Sequence, residues 1–367
     1  MSVPHTIRTW LTERLGLRYP IVQAPMAGGP TTPELVAAVG NAGALGSFGF
    51  AYTEAAAMQQ QMEAARAATR APIHINLFVE NVPPPPSDEA IQASLNALAP
   101  MYAAVGVQVP QRIDPPYCPD LDTQVRAVLA LRPGVLSMHF NQLSAQTIAD
   151  ARAQGIVVAA SATSLAEARH IEGLGVDFII AQGAEAGGHR GTFLGAAEES
   201  MIGTLALVRT LVRNCSIPIV AAGGIMDGAG LAAALALGAC GAQMGTAFLA
   251  VKESGASELH KRALFEHADA ATTITRAFSG RPARGIRNAF IARAEADNIP
   301  LLPFPVQNKA TGPLRAAAAK QNNPDYVSLW AGQAYTLARR MGAAELVRTI
   351  VAEYDEASQN LVKAARG

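Results

Sequence analysis

Short apolar runs followed by longer helix-forming stretches recur along the chain, and this repetition restricts the fold more than any other feature of the sequence. Most of the runs start about 20 to 30 residues apart, which is the size of one strand-plus-helix unit. Eight such units close on themselves, so the sequence predicts an α/β fold of the (β/α)8 TIM barrel type. The eight runs begin near Ile21, Ala44, Ile73, Val135, Ile156, Asp177, Pro218 and Ala242.

An open, doubly wound sheet is the main alternative to a barrel, because it is also built from βα units. That fold usually carries a G-x-G-x-x-G turn after its first strand. Here Gly28 and Gly29 are followed by Pro30, and no third glycine stands at the required distance. The first turn therefore favours the barrel.

Long gaps between predicted strands leave room for additions to the barrel. The segment Val82–Ser87 contains four consecutive prolines, so it is extended and opens an insertion that we place at about 81–131. After the eighth run the βα period is lost from about Glu253 to Tyr326. We therefore predict a barrel over 1–252 and a smaller lid or substrate domain over 253–327. C-terminal helices, Ser328–Met341 and Ala343–Ala365, are expected to pack on the barrel within 328–367.

The charge balance and the cysteines narrow the list of partners. Lys plus Arg and Asp plus Glu each number 29, so no net charge attracts nucleic acid or an anionic membrane. Cys118, Cys215 and Cys240 lie far apart, without disulfide or zinc spacing, and no stretch reaches the ~18 apolar residues of a membrane helix. We expect a cytoplasmic protein without a metal site.

Glycines end the last two predicted strands, as Gly223-Gly224 and Gly245-Thr246. In a βα barrel the reactive groups stand on loops after the carboxyl ends of the strands. Glycine lets backbone N–H groups approach a phosphate closely, and a helix N-terminus favours the negative charge. Gly223-Gly224 alone also fits a tight turn, but glycines on both strands favour a phosphate-bearing cofactor.

Amide side chains occur near other strand ends, at Asn76, Gln182 and Gln243. They can donate to and accept from a heteroaromatic ring without adding charge, although each also suits a hydrogen-bonded place in the barrel interior. The chain has no GxSxG elbow, no GxxxxGK[ST] loop and no HExxH helix. A cofactor must then carry the difficult step, and flavin chemistry is the simplest proposal.

Two histidines are the candidates for acid–base or hydrogen-bonding roles. Glycines flank His189 on both sides and leave space around an imidazole that projects over the barrel mouth. His139 ends an apolar strand, and a hydrogen-bonded core position fits it equally well. Glu185 is expected to orient the loop before His189.

The basic run Ser279–Arg284 in the predicted lid has two interpretations. It fits a solvated turn. It also fits a cover over the barrel mouth that attracts an anion. The sequence does not choose between them.

Together these motifs resemble the nitronate monooxygenase family, formerly called 2-nitropropane dioxygenases, and in particular its class I branch. The sequence EAGGHRG over Glu185–Gly191 is the most specific part. The resemblance covers most of the chain. It includes Pro20–Met26, Asn41–Gly46, Ile75-Asn76, Ser137–Phe140, Gly183–Gly191, Ala221–Ile225, Asp227-Gly228, Gln243–Thr246 and Ser328–Gln333.

The resemblance implies a TIM-barrel flavoprotein that binds FMN non-covalently. It also implies oxidation of alkyl nitronates, such as propionate 3-nitronate, by O2 to a carbonyl compound and nitrite. His189 would be the active-site histidine, with His139 beside it. We predict the following cofactor-binding residues: Ala24, Pro25, Met26, Asn76, Gln182, Gly183, Gly187, Gly188, Gly223, Gly224, Gln243, Met244, Gly245 and Thr246.

The fourth strand departs from the SFHFG pattern that is frequent in the family. Met138 stands in place of the first Phe, and Asn141 stands in place of the Gly. Both changes bear on the shape of the pocket and hence on the size of the substrate.

Two other functions stay open. An NAD(P)H-dependent flavin reductase of quinones or of enoyl thioesters, like the enoyl-ACP reductase, carries an EAGGH-type loop as well. A barrel that binds a phosphate ligand without catalysis is the second alternative. Anaerobic bleaching of the flavin by NAD(P)H would identify the reductase, and a yellow protein that releases FMN would exclude the non-catalytic barrel.

Overall fold

A closed barrel of parallel strands forms the centre of the molecule. The computed structural model describes residues 5–80, 84–266 and 271–366. The strands are Ile21–Gln23 (β1), Gly46–Gly49 (β2), Ile73–Val79 (β3), Val135–Phe140 (β4), Val157–Ala162 (β5), Phe178–Gln182 (β6), Gly188–His189 (β7), Ile219–Ala222 (β8), Gly241–Met244 (β9), Thr272–Thr275 (β10) and Ala283–Ile286 (β11).

Eight of these strands pair in parallel, in the order β1-β9-β8-β6-β5-β4-β3-β2. The two ends of this sheet meet through Leu45, whose N–H donates to the Ile21 carbonyl (2.9 Å) and whose carbonyl accepts from the Gln23 N–H (2.9 Å). The predicted (β/α)8 barrel is therefore confirmed, and each of the eight predicted runs contributes one strand.

Helices follow the strands and begin at residues suited to capping. Thr32 accepts a hydrogen bond from the Leu35 N–H (3.1 Å) and is followed by Pro33, while Asp227 accepts from the Gly230 N–H (2.8 Å). The helices are Trp10–Leu15 (α1), Pro33–Asn41 (α2), Ala55–Ala68 (α3), Asp88–Ala104 (α4), Leu121–Leu131 (α5), Ala145–Ala153 (α6), Leu165–Gly173 (α7), Thr204–Asn214 (α8), Gly228–Ala236 (α9), Thr246–Leu249 (α10), Glu258–Glu266 (α11), Ala289–Ala296 (α12), Val306–Lys320 (α13) and Ala343–Arg366 (α14).

Apolar side chains fill the barrel from its amino end. Leu11 of α1 packs with the inward side chains of the strands, and Trp10 contacts Phe178 with ring centroids 5.9 Å apart. Successive strand residues point to opposite faces, so Ile180 joins this interior group while Ile179 packs outward against the helices. The amino end of the barrel is therefore closed by apolar side chains, and the cavity of the barrel lies at its carboxyl end.

A second apolar core lies beside the barrel. It joins Leu95 and Leu98 of α4 to Phe290 of α12 and Leu314 of α13, so the predicted insertion and the predicted lid share one core. Helix α5 packs its residue Val128 with the barrel core instead. The domain bounds themselves stay a prediction, and part of the proline run, residues 81–83, lies outside the described residues.

A small antiparallel sheet, in the order β10-β11-β7, stands over the carboxyl end of the barrel. Its strand β7 carries His189, which is paired with Ala283 of β11. The predicted lid region thus reaches the loop that carries the candidate histidine.

The C-terminal segment differs in part from the prediction. Helix α14 packs Leu346 and Ile350 into the barrel core, but the helix predicted over Ser328–Met341 does not form. The Ile286 N–H donates to the Leu329 carbonyl (2.9 Å), so the chain there runs extended beside β11. This long-range pairing overrides the local helical pattern.

Among the described residues, no helix combines the length and the apolar character that crossing a membrane requires.

Candidate active site

A cavity of about 360 Å³ opens at the carboxyl end of the barrel strands. Two predicted site residues, Gly183 and Met244, do not line it: Gly183 packs against Thr204, and Met244 points into the core between strands and helices. The other predicted residues line the cavity: Ala24, Pro25, Met26, Asn76, His139, Gln182, Gly187, Gly188, His189, Gly223, Gly224, Gln243, Gly245 and Thr246.

His189 lies in this cavity with an uncharged imidazole. Its Nε2 is 2.9 Å from the Ser279 hydroxyl oxygen. Its ring centroid lies within 6 Å of four aromatic rings, those of Phe78, Phe140, Phe304 and Trp330. Burial, reinforced by the neighbouring His139 and by two arginines, lowers the pKa of His189 to about 3. The ring therefore carries a single proton at neutral pH.

His139 holds the backbone of His189. Its Nε2 is 3.0 Å from the His189 carbonyl oxygen, which can only accept, so Nε2 carries the proton. The Nδ1 atom then accepts from the Ser161 hydroxyl (3.1 Å). Burial lowers the pKa of His139 to about 4, although its hydrogen bond to the His189 carbonyl acts in the opposite direction. His139 is thus a neutral brace for the loop.

Gln182 fixes the same loop at the end of β6. Its Nε2 donates to the His189 carbonyl (2.9 Å), and its Oε1 accepts from the Gly191 N–H (2.7 Å). Gly191 allows this close approach, since a Cβ there would lie 2.8 Å from the His139 ring. One donor and one acceptor of the predicted ring-binding amide are therefore committed to the loop.

Asn76 is oriented by a buried hydrogen-bond network inside the barrel. Its Nδ2 donates to the Ser137 hydroxyl oxygen (2.8 Å). His74, on the same strand as Asn76, contacts Ser137 through Nε2 (2.7 Å) and Ser47 through Nδ1 (2.8 Å). Burial lowers the pKa of His74 to about 3, so this network holds Asn76 without a charge.

The loops after β8 and β9 present backbone N–H groups to the cavity wall. Gly223 and Gly224 adopt φ angles of 118° and 70°, which favour glycine. Within the described ranges, the N–H groups of Gly224 and Gly245 have no protein acceptor. Nearby, the buried Oε1 of Gln243 has no hydrogen-bond partner in the part of the chain that the structure describes. Unpaired donors and an unpaired acceptor at one wall indicate a polar ligand.

Glu185 and Gly187 set the shape of the loop after β6. The Glu185 carboxylate accepts from the Thr204 N–H (2.9 Å) and hydroxyl (2.7 Å), as expected for an orienting residue. A Cβ on Gly187 would lie 2.5 Å from the backbone of Ala331, so only glycine fits there. The Thr246 hydroxyl oxygen accepts a hydrogen bond from the Gly332 N–H (3.0 Å) and so links the start of α10 to the segment that packs on Gly187.

The two arginines of the basic run in the predicted lid, Arg281 and Arg284, are held by protein acceptors and are not among the residues that line the cavity. Arg281 donates through Nη1 to Glu80 Oε1 (2.6 Å) and through Nη2 to the Thr192 carbonyl (3.0 Å). Its guanidinium lies 3.9 Å from the centroid of the Phe140 ring. The pair ties the end of β3 to the loop before β11.

Arg315 also lines the cavity and was not among the predicted site residues. Its Nη2 donates to both oxygens of Asn308 (2.8 Å each), and its Nε donates to the Thr311 hydroxyl oxygen (3.2 Å). Its Nη1 has no protein acceptor among the described residues, and burial lowers the pKa of the guanidinium. Asn308, Thr311 and Arg315 form a polar stripe at helical spacing, which was a usable signal.

The other lining residues that were not predicted include Tyr52, His260 and Trp330. Tyr52 contacts Phe78 and Phe304 with ring centroids 5.9 and 6.4 Å away. His260 donates from Nε2 to the Trp330 carbonyl (3.0 Å), and burial lowers its pKa to about 4. These residues come from three separate segments of the chain: Tyr52 and His260 lie outside the motifs of the resemblance, whereas Trp330 stands within Ser328–Gln333.

Comparisons with known proteins agree with one another. Residues 8–353 match the family model described as nitronate monooxygenase. A nitronate monooxygenase of Paraburkholderia phytofirmans is 44% identical over 355 residues, covering 96% of each chain. One from Pseudomonas aeruginosa is 42% identical over 346 residues, covering 93% of this chain and 98% of the relative.

Two solved structures are also similar to this chain over nearly its full length. A nitroalkane oxidase of Streptomyces ansochromogenes matches with a TM-score of 0.87 and 40% identity, over 96% of this chain and 99% of that one. FabK of Thermotoga maritima matches with a TM-score of 0.76 and 27% identity, over 98% and 100% of the chains.

Proposed function

The chain belongs to the nitronate monooxygenase family, and we propose that it uses FMN and O2 to oxidise alkyl nitronates to a carbonyl compound and nitrite. One observation carries the proposal. The uncharged His189 shares a cavity with backbone donors, and with an Nη1 group of Arg315, that have no acceptor among the described residues. A flavin phosphate, a reacting anion and a second anionic group each find a matching partner there.

The residues at the β8 and β9 loops fit FMN. The N–H groups of Gly224 and Gly245 would hold the phosphate, because glycine admits an anion close to the backbone. The Gln243 Oε1 atom is a buried acceptor that needs a donor, and a flavin carries N–H and hydroxyl donors. Asn76 is held in place by Ser137 to meet the same ligand.

FMN would supply the electron-accepting ring that no side chain provides. The protein would supply the site around it. Phe78, Phe140, Phe304 and Trp330 surround His189 with apolar rings, and this low-polarity environment would strengthen its hydrogen bonds to a substrate. The imidazole would contact the nitro oxygens and orient the anion.

Arg315 favours a nitronate that carries a carboxylate, such as propionate 3-nitronate. The two N–H groups on Nη1 have no protein acceptor in the described part of the chain. A guanidinium donates to a carboxylate with short, charge-assisted hydrogen bonds. Because Asn308 and Thr311 already fix its other nitrogens, Arg315 would lose little conformational entropy on binding.

The decisive experiment measures O2 consumption and nitrite release with propionate 3-nitronate and no nicotinamide nucleotide. We expect a yellow protein that releases FMN on denaturation and forms nitrite in proportion to the nitronate added. A yellow protein that forms no nitrite, but whose flavin bleaches on anaerobic mixing with NADH or NADPH, would contradict the proposal and favour a reductase. A colourless protein without activity would contradict the cofactor.

We also infer a cytoplasmic location. The three cysteines are free thiols, which suits a reducing compartment. Fractionation of cells that express the full chain would test this.

A further inference from the structure

The Ser279 hydroxyl is the partner of His189 that lies outside the barrel. Ser279 belongs to the loop between β10 and β11, and its Oγ is 2.9 Å from His189 Nε2. The residue is buried, with 2% of its surface exposed. His139 and Gln182 hold the backbone carbonyl of His189, so among the described residues Ser279 is the hydrogen-bond partner of the imidazole ring.

A serine hydroxyl can donate one hydrogen bond and accept two. Ser279 Oγ has three neighbours: His189 Nε2 at 2.9 Å, the Arg281 carbonyl at 3.2 Å and the Arg281 N–H at 3.4 Å. The imidazole nitrogen is both the nearer acceptor and the more basic one. The Arg281 N–H can donate to the oxygen while the hydroxyl proton goes to His189.

We propose that Ser279 is a positioning residue that donates to Nε2 of His189 and so places the ring proton on Nδ1, the nitrogen that is left for a ligand of the cavity. The inference rests on the proposed function in one respect: an N–H aimed at the substrate matches the oxygens of an anionic nitronate, and a bare nitrogen would repel them. The His189 Nδ1 has no protein partner among the described residues, so it is available to a substrate.

The consequence is that a residue of the predicted lid sets the hydrogen-bonding character of a barrel residue. Because the imidazole is uncharged, it has one N–H to offer, and its direction decides what the site binds. Without the hydroxyl, Nε2 would be a buried acceptor with no donor, and the proton would no longer be confined to Nδ1.

The tautomer is tested directly by NMR. The holoenzyme is labelled with 15N-histidine, and the His189 signals are assigned from their absence in H189N; one-bond N–H couplings then identify the protonated nitrogen. We expect protonated Nδ1 and bare Nε2 in the parent protein, a changed pattern in Ser279→Ala, and the parent pattern in Ser279→Thr, which keeps the hydroxyl. Ser161→Ala is the matched control, and it should move the His139 signals while leaving the His189 pattern intact.

Steady-state kinetics supply a second measurement. Ser279→Ala should lower kcat/KM for propionate 3-nitronate about tenfold, which is the effect of one lost hydrogen bond. Ser279→Thr should recover most of this loss while both variants retain FMN. A proton on Nε2 of His189 in the parent protein would overturn the proposal, as would a His189 pattern unchanged by Ser279→Ala.

The two failures can be told apart. A protein with the expected tautomer but without nitronate turnover would retain the role of Ser279 and refute the proposed function. An enzyme that turns over nitronate but carries the His189 proton on Nε2 would support the proposed function and refute the role of Ser279.

Discussion

Arg315 provides the sharpest prediction about substrate choice. Replacement by Met keeps a side chain of similar length at the cavity wall and removes the Nη1 donors, which have no acceptor among the described residues. We expect the Arg315→Met variant to lose kcat/KM for propionate 3-nitronate while keeping its turnover of propyl 1-nitronate, which has the same carbon chain and no carboxylate.

The size of the effect follows from the contacts. A hydrogen bond between charged groups contributes about 1.5–3 kcal/mol, and each ~1.4 kcal/mol changes kcat/KM tenfold. The predicted loss is therefore about 10- to 150-fold. Since the carboxylate lies away from the reacting carbon, the lost interaction is made equally before and during the reaction, so KM should rise with little change in kcat.

The assay measures initial rates of O2 consumption for both nitronates with the parent protein and the variant. Lys320→Met is the matched control, because Lys320 lies on the same helix α13 but is exposed. An equal loss with both substrates would show that Arg315 supports the structure of the site, and would refute its role in recognising a carboxylate.

Three further predictions concern the histidines and the glycine turn. His189→Asn should keep FMN but lower nitronate turnover by about 100-fold or more, as judged by flavin content and nitrite release; unchanged turnover would contradict its catalytic role. Burial lowers the pKa values of His74, His139 and His189 from 6.5 to about 3, 4 and 3. The unfolded chain thus binds more protons between pH 6.5 and about 3, so the free energy of unfolding should fall as the pH is lowered through this range. Urea titrations at several pH values should show this, with a shallower decrease in His74→Asn; equal slopes would argue against the burial effect. Gly223→Ala should destabilise the fold by about 1–3 kcal/mol and weaken FMN binding in a fluorescence titration, because the residue has φ of 118° and a Cβ would lie 2.8 Å from the Thr204 hydroxyl. Parent-like stability and affinity would show that the turn tolerates a side chain.

The residue pattern along the chain predicted the barrel well, because each strand-and-helix unit has its own apolar run and its own helix-capping residues. The run from Ile73 to Val79 has the apolar, β-branched composition of a buried strand, and Thr32-Pro33 marks the start of a helix whatever the rest of the chain does. The histidine loop was found in the same way, through the glycines around His189. The predicted helix over Ser328–Met341 was wrong because Leu329 and Trp330, at its start, pair with β11, which is distant in sequence.

The amino-acid sequence by itself determined the eight strand-and-helix units, the glycine-bearing strand ends and the position of His189 in the chain. These features depend on neighbours within a few residues, where backbone sterics and side-chain periodicity act. Only the tertiary structure decided that Ser279 contacts His189, that His139 braces its carbonyl and that Arg315 reaches the cavity. Those contacts join residues from 50 to more than 100 positions apart, and they exist only once barrel closure and the second core have brought the segments together.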